Sequence, residues 1–434
     1  MQHSTPTDQS SLDEWLSYLE RLHPSTIDMG LARVRQVAER LALDTPALKI
    51  VVGGTNGKGS TCAMLEAILL AAGYKVGLYT SPHLIKFNER ARINGKIVTD
   101  ADFTAEFNRI EAARQDVSLT YFEFTTLAVL AMFAKAKLDV MVLEVGLGGR
   151  LDAVNMVDAD CSIITSVDID HVEWLGDTRE AIGAEKAHIY RSGKPAICSD
   201  PAPPQSLLDY ASAIGADLWL FGRDFNYSGD RQQWAFAGRA QRRNAMAYPA
   251  LRGANQLLNA SAALAALESL RDRLSVPQQA VRLGLIQASL PGRFQILPGQ
   301  PLTILDVAHN PHAAAVLEKN LGNMGFHPYT YAVFGMLSDK DVESVVRHLA
   351  GRIDFWFCAG LPGPRGLTGE QLAQRVQETI ATMPAPPAEK PTIKAFDTVE
   401  LAYGQARANC NLDDRIVVFG SFLTVAGALE KVTD

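Results

Sequence analysis

Short runs of apolar, β-branched residues alternate along the chain with longer segments in which apolar positions recur at helical spacing. The first such unit is a predicted buried strand at 47–52, a helix at 60–72 that stops before Gly73, and a strand at 74–80. The same pattern predicts a mostly apolar helix, two strands, a second helix and a further strand at 124–137, 138–145, 161–167, 177–191 and 195–199. This alternation is typical of parallel sheets with crossover helices, so the predicted fold class is α/β.

Two stretches interrupt the alternation. Prolines 201, 203 and 204 precede aromatic, glycine-spaced sequence around 221–236, which predicts a β-rich insertion or sheet edge. Pro and Gly cluster again between 291 and 299, and strands are then predicted at 302–307, 331–335, 355–359 and 415–420, each followed by helical sequence. Because the pattern restarts there, the chain is predicted to divide into domains 1–296 and 297–434.

Composition and charge narrow the classes of function. Of 434 residues, 47% are hydrophobic and 21% charged, which is globular, and 41 basic against 48 acidic residues argue against a nucleic-acid partner. The longest apolar stretches fall short of the roughly 20 residues of a membrane span, and the first fifteen residues lack the features of an export signal. Five scattered cysteines without a CxxC pair fit reduced thiols. These features predict a cytoplasmic protein without a membrane partner.

The strongest local signal is the sequence GGTNGKGS at 53–60, which lies between a predicted strand and a predicted helix. Backbone N–H groups at a helix N-terminus favour an anion, glycines allow close approach, and Lys58 can add its charge at the β- and γ-phosphates. This order of elements favours a nucleoside triphosphate site over a glycine-rich turn with a chance lysine. Gly59 stands where a hydroxyl residue normally binds magnesium, so that hydroxyl must come from Ser60 or from elsewhere. The guanine-reading sequence of GTPases is absent, which favours ATP.

The loop resembles that of the Mur ligase superfamily. The glycine after the lysine is similar to the residue found at this position in the folylpolyglutamate and dihydrofolate synthase branch of that superfamily. Other motifs agree in order along nearly the whole chain, at Thr80–Leu84, Glu144–Asp152, Asp170–His171, Glu185–Ala187, Pro291–Arg293 and Asp306–Pro311. The resemblance implies a P-loop parallel-sheet ATPase domain followed by a smaller Rossmann-like α/β domain. It also implies an ATP-dependent ligase that joins L-glutamate to dihydropteroate, and further glutamates to reduced folates, through an acyl phosphate. Another Mur-type amino-acid ligase and a non-catalytic ATP-gated switch remain as alternatives.

The resemblance also implies roles at the nucleotide and metal sites. The ATP phosphates would be held by Thr55, Asn56, Gly57, Lys58, Gly59 and Ser60. Two magnesium ions would be bound by Ser81, Glu144 and His171, although the residues alone leave a surface glutamate and a hydrogen-bonded histidine as alternatives. Lys186 would be carbamylated, which converts a cation into an anion near the metal site. Adenosine and phosphate would also contact Asn259, Arg293 and Asp306 across the domain junction.

The substrate residues implied by the resemblance lie in both predicted domains. Dihydropteroate would contact Ile27, Asp28, Thr120, Tyr121, Phe122, Glu123, Leu151, Asp152 and Ala153, although core packing explains the two aromatic residues almost as well. L-glutamate would be held by His309 and Ser421. His309 would also belong to the catalytic set, together with Lys58 and Lys186. This chain departs from many relatives at one position, since it has Asn255-Gln256 where they carry His-Gln. A monomer is implied.

Overall fold

The computed structural model describes residues 5–230, 232–387 and 389–433. The first four residues, which belong to the segment tested for an export signal, and Arg231, which belongs to the predicted β-rich stretch, lie outside the described residues. The chain divides into one unit of residues 1–250 and 257–289 and a second unit of residues 251–256 and 290–434. The second unit begins before the predicted cut at 296 because the strand at 295–297 pairs within it.

A mostly parallel sheet forms the centre of the first unit. Its strands, in chain order, are β1 (Leu48–Gly53), β2 (Val76–Tyr79), β3 (Ala91–Ile93), β4 (Lys96–Ile97), β5 (Val140–Glu144), β6 (Cys161–Ile164), β7 (Pro195–Cys198) and β8 (Asp217–Leu220). Across the sheet the order is β4-β3-β2-β5-β1-β6-β7-β8, with antiparallel pairing only along β2-β3-β4. Strands β1, β5 and β6 are buried apart from the half-buried Lys49, as expected for parallel strands covered on both faces. Their carboxyl ends therefore meet at one edge, where open α/β sheets bind ligands.

The helices of the first unit are α1 (Leu12–Leu22), α2 (Ala32–Leu41), α3 (Lys58–Ala71), α4 (Asp100–Arg114), α5 (Tyr121–Lys135), α6 (Val172–Leu175), α7 (Arg179–Ala187), α8 (Gln205–Ala213), α9 (Gln256–Ser269) and α10 (Gln278–Gln287). Helix α5 begins before its predicted start because Thr120 and Glu123 form a capping box there. Helix α7 begins after its predicted start because the Thr178 side chain caps it at Arg179, and it ends at Ala187, before the predicted end at 191. No helix of the described chain is long and apolar enough to cross a membrane.

The predicted β-rich stretch contributes to two sheets. Strand β8 forms one edge of the main sheet, whereas β9 (Asn226–Gly229), β10 (Trp234–Ala237) and β11 (Arg242–Met246) form a small antiparallel sheet. The buried Glu268 carboxylate of α9 accepts hydrogen bonds from the backbone N–H groups of Ala240 and Gln241, at 2.6 and 3.0 Å. These hydrogen bonds hold the hairpin between β10 and β11 against α9, the helix that also contains Asn259.

The second unit is a separate α/β layer. Its strands are β12 (Gln295–Leu297), β13 (Leu302–Asp306), β14 (Thr330–Phe334), β15 (Phe355–Ala359), β16 (Thr392–Phe396) and β17 (Arg415–Phe419), and its helices are α11 (Pro311–Gly322), α12 (Val342–Leu349), α13 (Gly369–Ala381), α14 (Val399–Asn409) and α15 (Phe422–Thr433). The sheet order is β12-β13-β17-β14-β15-β16. The two edge strands were not predicted; β16 has only exposed and half-buried positions and lacks the apolar run of a buried strand. The predicted α/β class is confirmed.

Candidate active site

The loop that joins β1 to α3 is shaped by two glycines with positive φ angles. Gly54 has φ 141° and Gly57, the N-cap of α3, has φ 88°. A Cβ atom built on Gly54 would lie 2.0 Å from Thr165 Oγ1, and one on Gly57 would lie 2.5 Å from Asn259 Oδ1. Both positions therefore require glycine for conformation and for space. The second contact also brings the predicted adenosine residue Asn259 directly against the loop.

The loop after β6 supports the phosphate loop from the neighbouring strand. Backbone N–H groups of Thr55 and Asn56 donate to the carbonyl oxygen and the Oγ of Ser166, at 2.7 and 3.1 Å. Thr165 Oγ1 donates to the Asn56 carbonyl oxygen at 2.6 Å, and Thr55 Oγ1 donates to the Asp168 carbonyl oxygen at 3.1 Å. Sequence reasoning missed Thr165 and Ser166. Their only signal is that they follow a strand that pairs with β1.

Two lysines meet at the start of this loop. Lys58 Nζ and Lys186 Nζ both donate to the Gly54 carbonyl oxygen, at 3.0 and 3.2 Å. Lys186 is 4% exposed, so it is a core residue and not the solvated helix-face lysine that its helical position alone would favour. Burial, followed by the nearby charge of Lys58, lowers the pKa of Lys186 to about 7, against the opposing effect of Asp170 and other carboxylates. Near neutral pH much of this amine is therefore uncharged.

Ser81 and Glu144 lie in contact at the carboxyl ends of neighbouring strands. The Ser81 backbone N–H donates to Glu144 Oε2 at 3.0 Å, and Glu144 is 4% exposed. The juxtaposition follows from the topology, since β2 and β5 pair in parallel and each residue stands at or just after a strand end. Glu144 is thus a buried carboxylate beside the phosphate loop and not the surface glutamate that the residues alone left open.

His171 occupies a different position from that pair. It is exposed, has φ 52°, and precedes α6, with its backbone N–H donating to Asp170 Oδ1 at 2.9 Å. Within the described residues no group of three or more His, Cys, Asp and Glu side chains could hold a metal. Magnesium is usually bound by one or two carboxylates together with substrate phosphates and waters. The contact of Glu144 with Ser81, next to a phosphate loop, fits that kind of incomplete protein site.

Three segments predicted to contact dihydropteroate converge near the carboxyl end of β5. A Cβ atom on Gly146 would lie 2.6 Å from the Phe122 ring, which stacks on Tyr79 with centroids 6.1 Å apart. A Cβ atom on Gly148 would lie 3.6 Å from Cε of Met29, the residue after Ile27-Asp28. Residues 27–29, 120–123 and 146–153 are therefore neighbours in space although they are distant in sequence.

Asp152 anchors the loop after β5. Its carboxylate accepts backbone hydrogen bonds from Leu147 at 2.8 Å and from Val154 at 2.9 Å. Burial raises the pKa of Asp152 to about 6, while these hydrogen bonds oppose the shift. The flanking residues differ, since Leu151 is half-buried and Ala153 is buried. Asp152 thus holds the shape of the loop, whatever contact it makes with a substrate.

The aromatic and acidic residues at the start of α5 have defined partners. The Tyr121 ring lies 5.7 Å from the Arg90 guanidinium, and burial raises the pKa of Tyr121 to about 12. Glu123 accepts from the Thr120 backbone N–H at 2.8 Å and pairs with Arg33 at 3.2 Å. Arg33 was not identified from the sequence.

Arg293 and Asp306 lie together in the second unit. Asp306, at the end of β13, accepts backbone hydrogen bonds from Phe294 at 3.0 Å and from Ala308 at 2.8 Å. Burial raises the pKa of Asp306 to about 6, and the charge of Arg293 opposes that shift. The Arg293 guanidinium lies 5.2 Å from the Phe422 ring.

His309 lies near the Phe422 ring, and Ser421 directly precedes Phe422 in the sequence. The centroid of the His309 ring is 6.2 Å from that of Phe422, and His309 Nδ1 hydrogen-bonds with the Val307 carbonyl oxygen at 2.8 Å. Ser421, 6% exposed, directly precedes Phe422. Because β13 and β17 are parallel neighbours, the loops that carry His309 and Ser421 lie at the same edge of the sheet. Phe422 was missed because an aromatic residue after a strand usually signals only core packing.

The position of the replaced histidine also lies in the second unit. Asn255 belongs to the turn before α9, and the preceding residue, Ala254, donates its backbone N–H to Asn320 Oδ1 at 2.8 Å. Asn320 is buried, so this turn is fixed to α11. The consequence of the replacement stays a prediction.

Comparison with known proteins follows the same division of the chain. Residues 52–267 match the Mur ligase middle domain and residues 292–422 match the Mur ligase glutamate ligase domain. The dihydrofolate synthase/folylpolyglutamate synthase of Escherichia coli K12 is 46% identical over 429 residues, covering 99% of this chain and 97% of the relative.

Solved structures agree over the full length. Escherichia coli FolC in complex with DHPP and ADP superposes with a TM-score of 0.93 at 46% identity, covering 99% of each chain. A bifunctional folylpolyglutamate synthase/dihydrofolate synthase with Mn, AMPPNP and L-glutamate bound superposes with a TM-score of 0.89 at 46% identity, covering 99% of this chain and 100% of that one.

Proposed function

This chain belongs to the dihydrofolate synthase/folylpolyglutamate synthase family of Mur ligases, and we propose that it joins L-glutamate to dihydropteroate and then adds glutamates to reduced folates. It is an ATP-dependent carboxylate–amine ligase that uses a divalent metal and small-molecule substrates. The observation that carries the conclusion is 46% identity across 99% of the chain. Identity at this length disfavours both another Mur-type ligase and a non-catalytic switch.

The chemistry explains why a phosphate loop is needed. A carboxylate is a poor electrophile, so its oxygen first attacks the γ-phosphorus of ATP, which forms an acyl phosphate and releases ADP. The amine of L-glutamate then attacks the acyl carbon, loses a proton and displaces inorganic phosphate. Lys58 and the backbone N–H groups at the start of α3 stabilise the negative charge of the transferring group. Arg293 is proposed to add a further positive charge.

Magnesium would be held by Ser81 and Glu144, with a second ion at His171. A bound divalent cation supplies charge neutralisation at the phosphoryl oxygens. The contact between Ser81 and Glu144 supports the first assignment, because it presents a buried carboxylate next to the phosphate loop. In this proposal the hydroxyl missing at Gly59 is supplied by Ser81, in the loop after β2, and not by Ser60 of α3.

Lys186 is proposed to react with carbon dioxide to form a carbamate. Only the neutral amine reacts, and at pH 7.5 a pKa of about 7 leaves about three quarters of the groups neutral. An ordinary lysine would be neutral in only about one molecule in a thousand at that pH. The product is an anion, and the ammonium of Lys58 beside it would offset the cost of burying that charge.

The two substrates are proposed to contact different units. Residues 27–28, 120–123 and 151–153 of the first unit take the pterin-bearing acceptor, which is supported by the convergence of those segments. His309 and Ser421 of the second unit take L-glutamate, which is supported by their position in loops that follow two parallel, neighbouring strands, β13 and β17.

A cytoplasmic monomer is also proposed. The cysteines of the described chain are free thiols, four of them buried, which suits a reducing compartment. The monomer rests on the family resemblance, and sedimentation velocity tests it directly.

Phosphate release tests the reaction. Wild-type protein with ATP, magnesium and dihydropteroate should release phosphate in proportion to added L-glutamate. Lys58→Ala should abolish this release while the circular dichroism spectrum stays unchanged, because Lys58 is half-buried and its lost contacts are to loop carbonyl oxygens. Phosphate release that ignores glutamate would favour the ATP-gated switch instead.

A further inference from the structure

Hydrogen bonds link the loop between α1 and α2 to the start of α5 at two places. Arg33 donates from Nη1 to Asp28 Oδ2 at 2.7 Å, and from Nη2 to the Asp28 carbonyl oxygen at 2.9 Å and to Glu123 Oε1 at 3.2 Å. At the other end, His23 contacts Asp28 Oδ2 at 3.0 Å and Ser118 Oγ at 2.7 Å. Two segments predicted to contact the pterin are thus connected through a residue that was not predicted.

The two carboxylates in this network differ in exposure. The Glu123 side chain is 4% exposed, and it already accepts from the Thr120 backbone and from Arg33. The Asp28 side chain is 40% exposed, and among the described residues its ion pairs both use Oδ2. Oδ1 of Asp28 is therefore the oxygen available to an external donor, whereas Glu123 faces inward.

The location of Arg33 is unfavourable for its own helix. It is the second residue of α2, and a positive charge in the first turn opposes the helix dipole. The N-cap residue of α2 makes no side-chain cap hydrogen bond that would offset this. Interaction with the two carboxylates is therefore what stabilises a guanidinium at this position.

We propose that Arg33 is a positioning residue for the pterin-bearing acceptor. It is anchored by the buried Glu123 and holds Asp28 so that Oδ1 accepts from the adjacent amino and N–H donors of the pterin. Glu123 acts on substrate only through Arg33. This assignment rests on the proposed function and adds to it a division of roles between the two acidic residues.

Steady-state kinetics of Arg33→Met test the proposal in the full-length enzyme. Losing a charge-assisted hydrogen bond should raise KM for dihydropteroate by about 10- to 100-fold. The KM values for ATP and glutamate, and kcat, should stay within about twofold, since a hydrogen bond to bound acceptor contributes to ground state and transition state alike. Arg33→Lys should recover part of the loss because it keeps the charge but not the two-pronged geometry.

A double-mutant cycle separates a positioning role from direct contact. Glu123→Gln keeps the capping box, since glutamine can also accept at that position. It should raise KM for dihydropteroate in the wild type but cause no further rise in Arg33→Met. A further rise there would mean that Glu123 contacts the substrate itself, which overturns the division of roles. Arg35→Met, on the same helix and exposed, is the matched control and should leave every KM unchanged.

The remaining outcomes are equally decisive. An unchanged KM for dihydropteroate in Arg33→Met overturns the inference and leaves the proposed function standing. A parallel loss of ATP affinity, or a fall in thermal midpoint that Arg33→Lys does not correct, would show a merely structural role and also overturns it. Wild-type enzyme that forms no glutamylated product overturns the proposed function, and the inference with it.

Discussion

The buried Lys186 should make the stability of the first unit depend on pH. Burial and the neighbouring Lys58 lower its pKa from 10.5 to about 7 in the folded chain. The unfolded chain restores an ordinary pKa of about 10.4. Between about pH 7 and pH 10 the unfolded chain therefore binds more protons at this site, so the free energy of unfolding rises with pH through that window. Below about pH 7 both states are protonated and the contribution levels off.

The magnitude follows from the size of the shift. Each unit of pKa difference corresponds to about 1.4 kcal/mol, so the depressed value costs the folded state about 4 kcal/mol at pH 7.5. At pH 9.5 Lys186 of the unfolded chain is close to its own pKa, so the cost to the folded state falls to about 1–2 kcal/mol. Raising the pH from 7.5 to 9.5 should thus increase the free energy of unfolding by about 2–3 kcal/mol through this residue.

Urea unfolding can isolate this contribution. Trp356 is the single tryptophan of the second unit, so tryptophan fluorescence of a Trp356→Phe protein reports on the first unit. Carbon dioxide-free buffer with a chelator keeps the amine unmodified and the protein free of metal. Lys186→Met in the same background removes the titrating group. The difference in the free energy of unfolding between the two proteins then cancels the contribution of all other titrating groups. A difference between the two proteins that stays flat from pH 7.5 to 9.5 would refute the depressed pKa and the reasoning about burial.

Three further changes test other parts of the site. Gly57→Ala should weaken ATP binding, measured by calorimetry, at least tenfold, because φ 88° strains alanine by about 1–2 kcal/mol and its Cβ would lie 2.5 Å from Asn259 Oδ1. Near-normal affinity would contradict the loop geometry. Glu144→Gln keeps an acceptor for the Ser81 N–H but removes the charge, so the magnesium concentration for half-maximal activity should rise about tenfold or more. An unchanged concentration would show that Glu144 does not bind the metal. His309→Ala should raise KM for glutamate about tenfold and preserve ATP affinity, because losing one hydrogen bond to glutamate weakens its binding by about that factor. An equal loss of affinity for ATP and glutamate would count against the assignment.

Local pattern was enough to predict the centre of the first unit. The strand, glycine loop and helix around Lys58 are contiguous, so spacing alone gives both the elements and the anion site. Parallel pairing then explains why Glu144 and Ser81 meet, since each lies at the carboxyl end of a neighbouring strand. Contacts of this kind can be anticipated once the order of strands is known.

Other features depend on contacts that no local pattern records. Arg33 and Glu123 are 90 positions apart, and nothing in the sequence around Arg33 distinguishes it from the other arginines of α2. Lys186 has the sequence context of a surface lysine, and contacts distant in sequence bury it: the loop at Gly149 packs against its backbone, and its Nζ donates to the Gly54 carbonyl oxygen. Edge strand β16 also escaped prediction, because a strand exposed along much of its length carries a weak hydrophobic signal.

Mass analysis of the reaction product tests the central claim most directly. Wild-type protein is incubated with ATP, magnesium, L-glutamate and dihydropteroate, and in parallel with a reduced folate as acceptor. Each acceptor should gain the mass of one or more glutamyl residues, with one ADP and one phosphate formed for every bond. ATP consumption that leaves both acceptors at their starting masses would contradict that claim.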